Sequence, residues 1–277
     1  MIARDENLSP TDFERLRALI YEQAGIVLNA DKRTMLESRI KRRLRALGSH
    51  SFADYCEYVF GTSGRSDELT DLIDAVTTNK TDFFREAHQF EYLRASVLPL
   101  LTSKRKVLVW SAGCSTGEEP YTLAMVLNEF AESQARFDFE ILATDVSTAV
   151  LAQAQSAIYK AQAVDRVPVA LRRKYFMRSR DPASDLMRVV PELRRRVQFR
   201  RVNFMDGDLG VTETLDVIFC RNVIIYFDHA TKMRTLHKLT GRLAPGGYYF
   251  AGHSESLQAM SLPLMPVSQA IYRKIAA

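Results

Sequence analysis

Apolar positions in the first 75 residues recur at helical intervals. Phe13, Leu16, Ile20 and Ala24 share one face, preceded by Ser9-Pro10-Thr11-Asp12 and followed by Gly25. A serine before a proline, with an acid at the third helical position, is a helix-start pattern. Glycine closes a helix because it tolerates a positive φ. Leu36, Ile40, Leu44 and Leu47 make a second stripe, which predicts a helix from near Asp31 to Gly48. Arg39, Lys41, Arg42, Arg43 and Arg45 fill its other faces. Two more helices fit Phe52 to Phe60 and Asp67 to Val76, with a Gly61-Thr62-Ser63-Gly64 loop between them.

From about residue 105 the pattern changes to short apolar runs separated by helices. Val107 to Trp110 leads into a glycine-bearing turn and a helix from about Glu119 to Glu132. Phe139 to Thr144 is the next strand and ends at Asp145; Leu215 to Cys220 and Gly247 to Gly252 are later ones. This alternation predicts a parallel, doubly wound α/β sheet, which binds ligands at the carboxyl ends of its strands. Between 160 and 200 the alternation breaks. Tyr175 to Arg178 and Leu186 to Val190 are expected to pair as a hairpin within a small inserted β element.

Composition narrows the class. The chain has 277 residues, 47% of them hydrophobic, which suffices for one large core or a small domain joined to a larger one. No apolar run approaches the ~20 residues of a membrane helix. Met1 to Pro10 carries charge without an apolar core, so it does not read as a signal peptide. Cys56, Cys114 and Cys220 lie far apart, as reduced thiols of a cytoplasmic protein would. The net charge of +5 sits in two blocks. Lys32 to Arg45 holds seven basic residues and one acid, and Lys160 to Arg201 thirteen basic residues and four acids. Nucleic acid, a membrane surface or an acidic protein partner would each suit such charge.

Candidate chemistry lies at the strand ends. Ser111 to Pro120 has the spacing Gly113-x-x-x-Gly117, unlike the G-x-G-x-x-G of dinucleotide folds. With Glu118 and Glu119 beside it, the loop suits a ligand with an α-amino group and no pyrophosphate, such as S-adenosylmethionine; a tight turn with no ligand is the alternative. Asp145 is placed either to accept both hydroxyls of a ribose or to cap the following helix. Thr77 to Glu86 on its own reads as a capped helix start, with Phe83 and Phe84 in the core. Arg221 to Phe227 follows a strand and would face the reacting group. His50, His88, His229, His237 and His253 are scattered without ligand spacing, and no metal is implied.

Several rare strings occur in order: Thr78-Asn79-x-Thr81-x-Phe83-Phe84-Arg85-Glu86, the Gly113 to Tyr121 loop, Phe219-Cys220-Arg221-Asn222-Val223-x-Ile225-Tyr226-Phe227, and Ala251-Gly252-His253-Ser254-Glu255. In these, and in Ala24 to Leu28 and Arg43 to Gly48, the chain resembles the chemoreceptor glutamate methyltransferases, the CheR family, from about Phe13 to Tyr272. The resemblance implies an all-α N-terminal domain (1–76) and a linker with a cofactor-contacting helix (77–104). It implies a class I S-adenosylmethionine methyltransferase domain (105–277) with a β-subdomain inserted at about 170–197.

It further implies cofactor contacts at Asn79, Thr81, Arg85, Glu119, Asp145, Asn203, Phe204, Cys220, Arg221 and Asn222, beside the Gly113 turn. Arg85 and Tyr226 would lie nearest the methyl transfer, with their separate roles open. The helix carrying Arg39, Arg42, Arg43 and Arg45 would face the receptor's cytoplasmic helices. A monomer is expected, with no nucleic acid partner and no membrane insertion.

The chemistry agrees, because a glutamate with a pKa near ~4.3 is already an anion at neutral pH and attacks a sulfonium methyl without a general base. Two rivals are weaker. Base-amino methyltransferases carry a Pro-Pro-aromatic motif where this chain reads Arg221-Asn222-Val223-Ile224, and a cofactor-binding sensor would not need Arg85 and Tyr226. Some relatives are tethered to a receptor-tail pentapeptide through a glycine-rich β-subdomain loop. Here Arg178 to Asp185 has no glycine and includes Pro182, so tail independence is expected.

Overall fold

The structure is a computed structural model that describes residues 7–49, 51–61, 65–258 and 260–275. The expectations for residues 1–6, for His50 and for the loop at 62–64 fall outside these residues. The N-terminal domain contains α1 (Pro10–Ala24), α2 (Arg33–Leu47), α3 (Phe52–Phe60) and α4 (Arg65–Val76). Ser9 Oγ accepts the Asp12 N–H at 3.0 Å, and Gly25 ends α1 at φ 71°. Leu16, Ile20, Leu36, Ile40, Leu44, Tyr55 and Leu72 form one core. Leu47 was expected in that stripe but is 40% exposed, because it is the last residue before the Gly48 turn.

After an extended stretch, α5 (Ala87–Tyr92) runs into a π turn at Leu93–Val97 and a 3₁₀ turn at Leu98–Leu101. Pro99 has no N–H with which to continue an α-helical ladder. The catalytic-type domain then follows: β1 (Val107–Ala112), α6 (Glu118–Ser133), β2 (Phe139–Asp145) and α7 (Thr148–Ser156). Next come β3 (Ile158–Lys160), α8 (Ala161–Val164), α9 (Val169–Tyr175), β4 (Phe176–Arg178), β5 (Leu186–Val189) and α10 (Pro191–Arg194). The last elements are β6 (Val197–Arg201), β7 (Leu215–Cys220), α11 (His229–Arg242), β8 (Leu243–Ala251), β9 (Leu264–Ser268) and β10 (Ile271–Lys274).

The large sheet has the order β6-β2-β1-β7-β8-β10-β9, and only β10 runs antiparallel to its neighbours. Its central strands are almost uninterrupted apolar runs because helices cover both faces. Strand order reverses beside β1, where β2 and β7 flank it, so their carboxyl ends open a crevice at the switch point.

The inserted element is a three-stranded antiparallel sheet, β3-β5-β4. The expected hairpin pairs Phe176 with Val189 and Met177 with Arg188. Its third strand, β3, lies before the expected boundary at 170. Tyr159 and Phe176 from this sheet pack edge-on against Phe83, joining the insertion to the main core.

Candidate active site

A cavity of about 450 Å³ opens at the switch point, in the range of small-ligand sites. Asn79, Thr81, Arg85, Gly113, Glu119, Asp145, Asn203, Phe204, Arg221, Asn222 and Tyr226 all line it. Sequence positions up to 147 residues apart are thereby brought together.

The turn after β1 makes the floor. The Gly113 and Cys114 N–H groups both donate to the Thr144 carbonyl at 2.8 Å. Gly113 has φ 88°, and a Cβ there would overlap the Val223 side chain. The close approach its lack of side chain permits is therefore to the turn after β7. Gly117, at φ 97°, similarly admits Ala154 and the Tyr159 hydroxyl.

Asp145 ends β2 with both oxygens oriented. Oδ2 accepts the Ser115 N–H at 2.8 Å and Oδ1 the Ser147 N–H at 3.0 Å. Ser147 is the residue that caps α7, its Oγ accepting the Val150 N–H. Asp145 is thus not the cap, and it lines the cavity. Burial pushes its carboxyl above the ordinary aspartate range, against the backbone amides that lower it.

Glu119 and Arg221 form a buried pair, with Nε to Oε2 at 2.6 Å and the Ser111 hydroxyl on Oε1 at 2.7 Å. Arg221 also donates to the Arg85 carbonyl at 2.7 Å and to Gln89 Oε1 at 3.3 Å. Its guanidinium lies over the rings of Phe90 and Phe219. Gln89 in turn donates to the Ala251 carbonyl at 2.8 Å. Arg85 donates to the Lys80 carbonyl at 3.0 Å, and Asn79 accepts the Ser115 hydroxyl through its carbonyl at 3.0 Å. Asn203 donates its amide to the Gln23 carbonyl at 2.5 Å, tying the cavity to the N-terminal domain.

Cys220 does not line the cavity. Its side chain is fully buried in the core beside Tyr249, and burial pushes the thiol well up. It ends a strand buried along its whole length.

The basic helix also departs from expectation. Arg43 pairs with Glu68 at 2.7 Å and with Asp71, and the Tyr55 hydroxyl donates to Glu68 at 2.8 Å. Arg39 donates to the Ala75 and Thr77 carbonyls at 2.9 and 2.6 Å, capping the end of α4. Only Arg42 and Arg45 of the four are exposed.

The histidines are less scattered than their spacing suggests. His88 and His253 meet with Nε2 atoms 3.1 Å apart, and burial first, then His253, lowers the His88 pKa. Among the described residues no group of three or more His, Cys, Asp or Glu is placed to hold a metal.

Sequence reasoning missed the opposite wall of the cavity. Ala24, Ile26, Val27, Leu28 and Met35 come from the N-terminal domain, and Lys32 stands at the same wall. It also missed Gln89 and Glu255, although Glu255 ends one of the strings that carry the resemblance.

A seven-stranded sheet in this order, with a glycine turn after its first strand and an acid ending its second, defines a class I methyltransferase domain. The chain belongs to the CheR methyltransferase family. Residues 79–272 match the CheR methyltransferase SAM binding domain and residues 11–77 the CheR methyltransferase all-alpha domain. It is 40% identical over 265 residues to the chemotaxis protein methyltransferase of Salmonella typhimurium, covering 96% of this chain and 90% of that one. It is 39% identical over 263 residues to chemotaxis protein methyltransferase 2 of Pseudomonas aeruginosa, covering 94% and 92%. It is 36% identical over 275 residues to the chemotaxis protein methyltransferase of Borreliella burgdorferi, covering 97% and 95%. The protein is therefore an S-adenosylmethionine-dependent methyltransferase. Among the described residues no helix is long and apolar enough to cross a membrane.

Proposed function

We propose that the protein esterifies glutamate side chains on the cytoplasmic helices of chemoreceptors. The observation that carries this reading is that the two carboxylates beside the glycine turn are already engaged, while Asp31, the other carboxylate among the described lining residues, is exposed beside Lys32. Glu119 is held by Arg221 and Ser111, and both Asp145 oxygens are held by backbone amides. An acceptor that must lose a proton during attack would find neither Glu119 nor Asp145 free to take it. A carboxylate, with a pKa near ~4.3, needs none.

The residues fit the cofactor. Asp145 would accept the ribose hydroxyls, Glu119 would face the α-amino group, and Asn79, Thr81, Phe204 and Asn222 would line its remaining length. S-adenosylmethionine supplies an electrophilic methyl on a sulfonium. Arg85 orients a carboxylate by a forked hydrogen bond, and Tyr226 borders the path of the acceptor oxygen. The N-terminal wall excludes water, and alignment of this kind supplies ~7–11 kcal/mol in favourable intramolecular reactions.

Arg42 and Arg45, exposed on α2, steer an acidic helical partner. Recruitment proceeds without the receptor-tail pentapeptide, because the β4–β5 loop bonds to itself. The Ser179 N–H donates to Leu186 at 3.1 Å, and the Ala183 and Ser184 N–H groups donate to Asp181 at 2.9 and 3.1 Å.

The test is transfer of a labelled methyl group to purified receptor, with RNA and DNA as parallel acceptors. Label on the receptor that alkali releases as methanol supports the ester. Alkali-stable label, or label on nucleic acid alone, overturns it.

A further inference from the structure

We propose that Glu255 is a positioning residue, whose buried carboxylate holds the turn after β7 and so sets the place of Tyr226 at the cavity wall. The inference rests on the reading that Tyr226 borders the transfer path. Glu255 lies after β8, 29 residues beyond Tyr226 in sequence, and is 5% exposed. Its Oε2 accepts the Asn222 N–H at 2.7 Å and the Gly252 N–H at 2.8 Å. One carboxylate oxygen thus clamps the ends of two neighbouring strands, β7 and β8.

The clamped segment has few bonds of its own. Asn222 has φ 59°, in the left-handed region. Beyond it, the single 3₁₀ turn Ile224–Tyr226 is closed by one long bond, the Tyr226 N–H 3.4 Å from the Val223 carbonyl, and one ordinary bond, the Phe227 N–H 3.1 Å from the Ile224 carbonyl. The far end is held from the N-terminal domain, where the Val27 N–H donates to the Tyr226 carbonyl at 2.9 Å. The turn is thus held at both ends, by Glu255 on one side and Val27 on the other. Gly252 is part of the device, since a Cβ there would lie 2.7 Å from both Glu255 Oε2 and Asn222 Nδ2.

Glu255 is poorly suited to a purely stabilising role. Its second oxygen, Oε1, is buried with no hydrogen-bond partner among the described residues. Burial pushes the carboxyl above the ordinary glutamate range even with backbone amides facing it. A buried charge left half-satisfied lowers stability. Its place behind the Asn222 turn fits a group that serves alignment.

The experiment is a double-mutant cycle with E255Q and Y226F, measured as kcat on purified receptor, with S-adenosylhomocysteine affinity and melting temperature read on the same samples. Glutamine keeps an oxygen for the two amides and loses the charge that strengthens both bonds. The expected result is a kcat for E255Q lower by about tenfold, with affinity within about threefold and an unchanged or higher melting temperature. E255Q/Y226F should match Y226F alone within about twofold, because misplacing Tyr226 and removing its hydroxyl forfeit the same interaction. A double mutant whose loss is the product of the two single losses overturns the role of Glu255 and leaves that of Tyr226 standing. A Y226F enzyme with unchanged kcat overturns the reading of Tyr226, and the proposed action through it falls too. An E255Q enzyme with unchanged kcat overturns the proposal by itself.

Discussion

An ionised carboxylate offers about four acceptor sites, and Asp145 engages two of them with the amides of Ser115 and Ser147. The remaining two suit a pair of vicinal hydroxyls. Asp145→Ala should weaken S-adenosylhomocysteine binding by about tenfold or more, since hydrogen bonds to charged groups contribute ~1.5–3 kcal/mol. The variant should stay folded, because Ser147 remains to cap α7. Calorimetry giving wild-type affinity in a folded variant would exclude the role.

The pH dependence follows from the raised carboxyl. Affinity should decline as pH falls through that value, earlier than an ordinary aspartate would allow, and the decline should vanish in the variant. The same shift makes the folded state hold the proton more tightly than the unfolded chain. Asp145 therefore takes stability away as pH rises from its unfolded to its folded pKa.

Asp145 and Gly113 were legible because a strand end and a turn declare themselves locally. That Cys220 lies outside the cavity lining was not legible, because the motif gives its position in the chain but not which face of a strand it occupies. Glu255 was visible as a motif residue, but its two amide partners are defined only by the folded chain.

At the level of elements, α2 divides into two functions that its charge pattern does not distinguish. Arg43 stands over Glu68, whose side chain is 2% exposed. Breaking such a pair leaves a buried charge, so Arg43→Ala should cost about 3 kcal/mol and lower the melting temperature. Arg42→Glu with Arg45→Glu loses only an exposed bond from Arg45 to the Lys41 carbonyl and a favourable charge in the last turn of α2, and should cost no more than about 1 kcal/mol. The double reversal should lower receptor methylation about tenfold with cofactor affinity unchanged. A parallel loss of melting temperature and methylation in that variant would remove the docking role.

The helical stripes of α1 to α4 were readable from period alone. The inward arginines were not, because their partners lie 25 or more residues away on α4 or just beyond it. The strands β3, β6, β9 and β10 were missed, and the first two show different reasons. β3 has three residues, while β6 reads Val-Gln-Phe-Arg-Arg, with an edge strand's polarity rather than a buried run. The apolar runs of β1, β2 and β7 were plain because both their faces are covered.

On the scale of the whole molecule, the two domains are joined by a small set of specific bonds. Asp74 on α4 accepts from the Thr148 N–H at 3.0 Å, its hydroxyl at 2.9 Å and the Ala149 N–H at 3.1 Å, supplementing the cap of α7. Tyr21 donates to Asp228 from the other side. Asp74→Ala should cost about 1 kcal/mol, the usual worth of a helix cap, and should weaken ligand binding because α7 starts beside Asp145. Unchanged binding and melting would mean that Asp74 is a bystander at the interface.

The β-subdomain supplies the second test at this scale. Titration with the receptor-tail pentapeptide should show no saturable binding, and receptors with and without the tail should be methylated at similar rates. Micromolar affinity for the peptide would contradict tail-independent recruitment. Neither the interface nor the shared cavity was legible in the sequence, which shows two domains but not the contacts between them.

A pocket with walls from two domains turns its occupant into mortar. Ligand at 100 times its dissociation constant adds about 2.7 kcal/mol to the folded state, and here that increment also resists prying the domains apart. The stretch between Thr77 and Asp82, which joins them, should therefore be cut more slowly by protease as the methyl donor or its product is added. A cell short of methyl donor would hold not only an idle enzyme but a shorter-lived one.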